Sequence, residues 1–320
     1  MGFTDLEQLV AGELFAPPPE AATRFAAEIR RRHGDSVAAV LFYGSCLRKR
    51  TSEGVLDFYA LVDSYRSAYP SRRLAWANAL LPPNVFYLEI ESPEGTLRAK
   101  YAVMSTRDFA RGVRPGGLRS GLWGRFCQPA SAAYARDGAP RDIVARGAAE
   151  SIVTLAMRVV PLLPAAGGEQ RFTSAEFWQR ALRETYSTEM RPEAPGAIRS
   201  IYDAAPDRYE RALRGALDEL ARRGWLSVRR EGGQLVVVQP RGRRLRARLG
   251  WWLRRPAAKL AYAAQLFKTA ATFGDWLPYV LWKLERHTGT RIVPSERQLR
   301  HPFVWGWPIL FRVLWRRDLR

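Results

Sequence analysis

Val37-Ala-Ala-Val-Leu-Phe-Tyr-Gly-Ser-Cys-Leu-Arg-Lys-Arg-Thr-Ser-Glu-Gly-Val-Leu-Asp-Phe-Tyr-Ala-Leu-Val-Asp63 is the stretch that decides the fold. Apolar residues from Val37 to Phe42 run almost unbroken into Gly44 and Ser45, and Asp57 stands at the head of a second apolar run, Phe58 to Val62. The pattern reads as a buried strand, a small-residue turn, a basic loop and a second strand. A Gly-Ser turn lets backbone N–H groups approach a polyphosphate. A carboxylate on the following strand is suited to hold a magnesium ion that bridges phosphates. Arg48, Lys49 and Arg50 follow the turn, where such phosphates would lie.

Outward from this stretch the chain alternates strand-like and helix-like segments. A helix is expected over 21–32, after Pro17, Pro18 and Pro19, with Phe25, Ala26 and Ile29 on one face. A helix over 72–81 is stopped by Pro82 and Pro83, and strands over 85–90 and 97–104 flank a turn at Pro93-Glu94-Gly95, which makes them a hairpin. A Gly/Pro/Arg-rich loop over 112–124 leads to Arg125. Helices are expected over 141–160, 174–186 and 206–223, the last with Pro206 at its first position. Two short β-type runs around Gly232-Gly233 then form a wing-like hairpin, so 195–240 reads as a winged helix. The expected fold class is α+β. It comprises a DNA polymerase β-like nucleotidyltransferase domain with appended helices (1–192), a winged-helix domain (193–242) and a basic, Trp-rich helical C-terminal region (243–320).

Composition narrows the partners. The formal net charge is +20, and residues 241–320 carry 18 Arg plus Lys against 4 Asp plus Glu, so +14 of it lies in the last quarter. That quarter also holds Trp251, Trp252, Trp276, Trp282, Trp305, Trp307 and Trp315. Basic charge alone fits any polyanion, but charge mixed with indole rings fits an anionic membrane surface better. Phe303 to Phe311, followed by Arg312, Arg316, Arg317 and Arg320, reads as an interfacial anchor. Two cysteines, Cys46 and Cys127, make neither a disulfide framework nor a zinc site, and the three histidines are scattered. The N-terminus has no signal-peptide pattern and no apolar run is long enough to span a bilayer. The expected location is cytoplasmic, peripheral on the inner face of the cell membrane.

The usual motif of this fold has a second acid two residues after the first, where this chain has Tyr59; Asp63 lies on the same side of the strand at its far end. Four blocks occur in order. They are Tyr43-Gly44-Ser45 with Asp57-Phe58 and Val62-Asp63, then Lys100-Tyr101-Ala-Val-Met-Ser105, then Gly124-Arg125-Phe-Cys-Gln-Pro129, and then Tyr186-Ser-Thr-Glu189-Met-Arg191. In these blocks the chain resembles the mitochondrial-type phosphatidate cytidylyltransferases, the translocator assembly and maintenance family, in its bacterial branch. The resemblance spans roughly residues 36–285. It departs at Gln128, where the family has Lys, and at Cys46, where it has Gly.

The resemblance implies transfer of CMP from CTP to phosphatidic acid, with magnesium as cofactor and release of pyrophosphate. It implies Asp57, Lys100 and Arg125 as catalytic residues. Gly44, Ser45, Lys49, Tyr101 and Arg191 would contact the nucleotide. Asp57, Asp63 and Glu189 would be metal carboxylates, although Glu189 reads equally well as a structural partner of a nearby Arg. The residues themselves are consistent with this, because Lys100 projects from a strand able to pair beside that of Asp57, and Arg125 and Arg191 can clamp phosphate in a bidentate fork. Two other functions fit the same features. One is a nucleotidyltransferase acting on nucleic acid or a small molecule, and the other is a non-catalytic winged-helix DNA-binding protein.

Overall fold

The computed structural model describes residues 5–93, 95–116, 121–187 and 197–272. In chain order the elements begin with α1 (Asp5–Leu14), α2 (Glu20–His33), β1 (Val37–Tyr43), α3 (Ser45–Lys49) and β2 (Val55–Val62). They continue with α4 (Tyr65–Ala68), α5 (Arg72–Leu80), β3 (Asn84–Ser92), β4 (Gly95–Ser105), α6 (Thr106–Gly112), α7 (Gly121–Phe126), β5 (Ala130–Ala135) and α8 (Ala139–Val159). The remainder is β6 (Glu169–Phe172), α9 (Ser174–Tyr186), α10 (Ala197–Asp203), α11 (Pro206–Arg222), β7 (Ser227–Glu231), β8 (Gln234–Val238) and α12 (Arg241–Thr272).

The protein is α+β, built on a mixed sheet in the order β3-β4-β2-β1-β5. Strands β2 and β4 run parallel; the other neighbours are antiparallel. Side chains alternate between the two faces of a strand, so each strand feeds two cores. On one face Phe42, Phe58, Tyr101 and Val103 pack with Phe25 and Ile29 of α2. On the other, Leu41, Tyr59, Leu61 and Met104 pack with Phe126 of α7 and with Ile152 and Leu155 of α8. Strand β1 is covered on both faces, which is why Val37–Phe42 is apolar without alternation. Gly147 of α8 lies against Phe109, whose ring a Cβ at that position would strike.

A second sheet, β6-β8-β7, carries the expected hairpin around Gly232 and Gly233. Its third strand, Glu169–Phe172, lies upstream of residue 193, so the sheet reaches back across the expected domain boundary. Helix α9 starts on a reciprocal cap in which Thr173 and Glu176 each bond the other's backbone N–H. Trp178 is fully buried, and its indole N–H donates to the Tyr209 carbonyl at 2.8 Å. Helix α11 buries Tyr209, Leu213, Ala216, Leu217 and Leu220, a three-to-four spacing that fixes its inward stripe.

Helix α7 begins at the end of the expected loop over 112–124 and runs past it, and α1, α3, α4, α6, β5, β6 and α10 join the elements read from the sequence. The arginine run after residue 240 is one helix, α12. No described helix is long and apolar enough to cross a membrane. The expected interfacial anchor at 303–320 lies outside the described residues.

Arg208 joins the two sheets' surroundings. It is buried, pairs with Glu13 of α1 at 3.1 Å, and donates to the Cys127 carbonyl at 2.7 Å. Arg208→Ala is expected to destabilise the fold by about 3 kcal/mol, because it strands a carboxylate and a buried carbonyl together. Urea denaturation measures this as a lower midpoint at unchanged slope.

Candidate active site where β1 ends and β2 begins

Strand register assembles one row across the sheet. Tyr43 stands opposite Asp57, Asp57 opposite Lys100, and Lys100 opposite Tyr87. Neighbouring strands are about 4.8 Å apart, so this register alone brings the side chains together. Lys100 Nζ lies 3.0 Å from Asp57 Oδ1, with the two side chains 30% and 20% exposed. Oδ1 is buried, and this contact is not aligned as a hydrogen bond. Among the described residues the carboxylate has no polar side-chain partner but Lys100, so it keeps lone pairs that this ion pair does not use.

Gly44 closes the other side. Its φ is +94°, and a Cβ there would lie 3.1 Å from Asp57 Oδ2. Both the backbone conformation and the space demand glycine at this point. The chain leaves Gly44 directly into α3, with Ser45 and Lys49 exposed and Arg48 half-buried. Cys46 is buried, and its Sγ donates to the Glu53 and Val55 carbonyls at 3.8 and 3.7 Å, which draws the basic loop back toward β2.

Helix α7 sits over the row. Phe126 packs at 5.9 Å from Tyr43 and 5.4 Å from Tyr59, centroid to centroid. The preceding residue, Arg125, is half-exposed and donates to the Gly121 carbonyl at 2.7 Å. Gln128 ties this helix to α3. It donates from Nε2 to the Gly124 carbonyl at 3.0 Å and accepts from Arg48 Nη1 at 3.1 Å. Arg48 is thus held by a neutral amide, which does not itself cancel its charge. Nothing in the sequence signalled this pair, 80 positions apart.

Two expected site residues, Asp63 and Tyr101, fall elsewhere or onto other partners. Asp63 closes the opposite end of β2, six residues from Asp57, or about 20 Å at strand rise. It pairs there with Arg136 at 2.6 Å, so it is not placed to share a metal with Asp57. Tyr101 neighbours Lys100 on the strand and so points to the other face, where it stacks on Phe86 and bonds His33. It is 2% exposed and is a core residue rather than a nucleotide contact. Tyr59 fills the place of a second acid and is buried against Phe126. Glu189 and Arg191 lie outside the described residues.

His33 is enclosed by Tyr69, Phe86 and Tyr101. Its Nδ1–H donates to the Ala68 carbonyl at 2.9 Å, so Nε2 accepts from the Tyr101 hydroxyl at 3.2 Å. Burial pushes its pKa below the ordinary value; the Ala68 bond opposes the shift, and nearby Arg32 adds to it. The folded state therefore binds fewer protons here than the unfolded chain. The stabilisation is present above about pH 6.5 and is lost as pH falls through and below that value. The melting temperature should fall between pH 7.5 and 5.5 by more in the wild type than in His33→Gln.

Among the described residues, no three His, Cys, Asp or Glu side chains cluster as a metal cage. The buried Oδ1 of Asp57 and the glycine beside Oδ2 nevertheless fit a magnesium ion of the substrate-dependent kind, which takes one or two protein carboxylates and completes its shell with phosphates and water. Compared with protein-family models and with curated proteins, the chain finds no match in either.

Proposed function

We propose that the protein is a CTP:phosphatidate cytidylyltransferase that works at a membrane surface and makes CDP-diacylglycerol. The observation that carries the reading is the row formed by Gly44, Asp57 and Lys100 at the junction of β1, α3 and β2. A helix, a strand, a Gly-Ser turn into a short helix and a strand headed by a carboxylate is the order expected of a DNA polymerase β-like nucleotidyltransferase. The three-stranded sheet with α9, α10 and α11 is the arrangement expected of a winged helix. The four ordered sequence blocks favour the lipid acceptor.

The lipid phosphate is already a nucleophile near neutral pH, so no strong general base is required. One of its oxygens attacks the α-phosphorus of CTP, the bond to the bridging oxygen breaks, and pyrophosphate leaves with the electron pair. Magnesium, when bound, would be held by Asp57 and the phosphates, and supplies charge stabilisation. Gly44 keeps the approach to the Asp57 carboxylate open. Lys100 and Arg48 place fixed positive charge beside the triphosphate, and Lys49 adds a mobile charge at the rim. Arg125 suits the lipid phosphate or the leaving group through its planar fork. The site spends its side chains on positioning and charge, as phosphoryl transfer requires.

A DNA-binding winged helix has weaker support. Helix α11 carries four Arg and four Asp or Glu. In the wing sheet Arg171, Arg229 and Arg230 are all bonded to carboxylates of Glu169, Glu231 or Asp218. The enzymatic reading is tested by pyrophosphate release, which should require CTP, magnesium and phosphatidate together. Release with CTP alone, or with DNA in place of lipid, would refute it.

A further inference from the structure

Helix α12 presents its apolar residues to the outside. Leu245, Leu249, Trp252, Leu253 and Leu260 are 50–73% exposed. At about 100° per residue they fall, together with Pro256, within an arc of about 100°. The opposite side faces the protein. Trp251 is buried edge-on to Trp123 and donates to the Arg158 carbonyl at 3.2 Å, and Arg255 reaches Glu184 at 2.8 Å. Farther along, Gln265 and Lys268 donate to the carbonyls of Pro83 and of Leu81 and Pro83. The helix is therefore anchored along one side, and its exposed stripe is not simply an undocked core face.

The charge around that stripe has one sign. Arg241, Arg243, Arg244, Arg246, Arg248, Arg254, Arg255 and Lys259 lie between residues 241 and 260, without a single acid. Arg241, Arg248 and Lys259 border the stripe on one side and Arg246 on the other, all exposed, while Arg255 beside them is paired with Glu184. An apolar stripe bordered only by cations is what a helix needs to lie in the headgroup region of an acidic bilayer. Those exposed cations complement the negative surface of an acidic bilayer, which a neutral partner does not offer.

We propose that the outward face of α12, from Leu245 to Leu260, is a docking surface for an anionic lipid bilayer. The surface belongs to a helix fastened to the catalytic body, so it would hold the site at a fixed height above the membrane. The proposal extends the lipid-substrate reading, but its test uses no nucleotide and reads no turnover, so each can fail without the other.

The test is co-sedimentation of the full chain with vesicles of phosphatidylcholine alone or mixed with phosphatidylglycerol. The wild type should bind the mixed vesicles and release at high salt. Trp252→Ser with Leu260→Ser should lower partitioning about tenfold or more, the scale set by withdrawing two large apolar side chains. Both positions are exposed, so circular dichroism and melting should stay at wild-type values. Arg248→Gln with Lys259→Gln should weaken binding and flatten its salt dependence. Brominated acyl chains should quench wild-type fluorescence, and less so in Trp252→Phe. Unchanged partitioning in both double variants would overturn the proposal and mean that the stripe is covered by another part of the chain. Equal binding to neutral vesicles would overturn the anionic assignment. Light scattering that shows a wild-type dimer, broken by the Trp252 and Leu260 changes while vesicle binding persists, would assign the face to a second copy instead.

Discussion

Asp57→Asn should abolish turnover, by three orders of magnitude or more, in a protein that melts like the wild type. Asparagine keeps the shape beside Gly44 and removes the charge. Asp57 is the only carboxylate in the row, since Tyr59 occupies the second position and Asp63 lies at the other end of β2. Among the described residues no other acid is placed to take over. If a metal-bound phosphate relies on this side chain, its loss removes several kcal/mol of transition-state stabilisation, about tenfold in rate per 1.4 kcal/mol. Steady-state pyrophosphate release and a thermal melt on the same preparation check it. Near-normal rates in a folded Asp57→Asn protein would show that the row is not the catalytic centre.

The second large effect belongs to Lys100. Lys100→Ala should slow turnover on the order of a hundredfold, as for one lost charge contact in a preorganised site. The 3.0 Å pair with Asp57 adds a further expectation. Each residue positions the other, so the double variant should lose much less than the product of the two single losses. Lys100→Arg should rescue poorly, because a planar guanidinium does not fit where a compact ammonium sits between two strands. A loss under about threefold, far below the scale of such contacts, would mean that Lys100 only neutralises Asp57.

Strands β1 and β2 were legible because uninterrupted apolar runs flank a Gly-Ser pair, and buried strands need that composition. The neighbourhood of Asp57 and Lys100 followed from expecting the strand of Lys100 to pair beside that of Asp57. Other positions show why single-sequence reasoning stops short. Asp63 satisfied the two-residue period but not the distance, since period fixes the face of a strand and not the end. Tyr101 shares a sequence block with Lys100 but stands one residue from it, so the same period turns it to the opposite face. Strand β5 was missed because Ala130–Ala135 holds only Ala, Ser and Tyr, with no β-branched residue. The bond from Arg48 to Gln128 joins distant loops and leaves no local trace. Helix α12 was legible as part of a basic, Trp-rich helical region but its apolar stripe was not, because Pro256 and the dense charge obscure it and its meaning depends on which side the body covers.

The proposed reaction moves CMP from CTP onto a lipid phosphate. The most direct measurement supplies α-phosphate-labelled CTP, ATP, GTP or UTP in turn, with magnesium and vesicles containing phosphatidic acid, and follows the label into the organic phase. The expected result is label from CTP alone in a product that co-migrates with CDP-diacylglycerol, present with wild type and absent with Asp57→Asn. Label that enters only nucleic acid or a water-soluble acceptor, or no label transferred from any nucleotide, would contradict it.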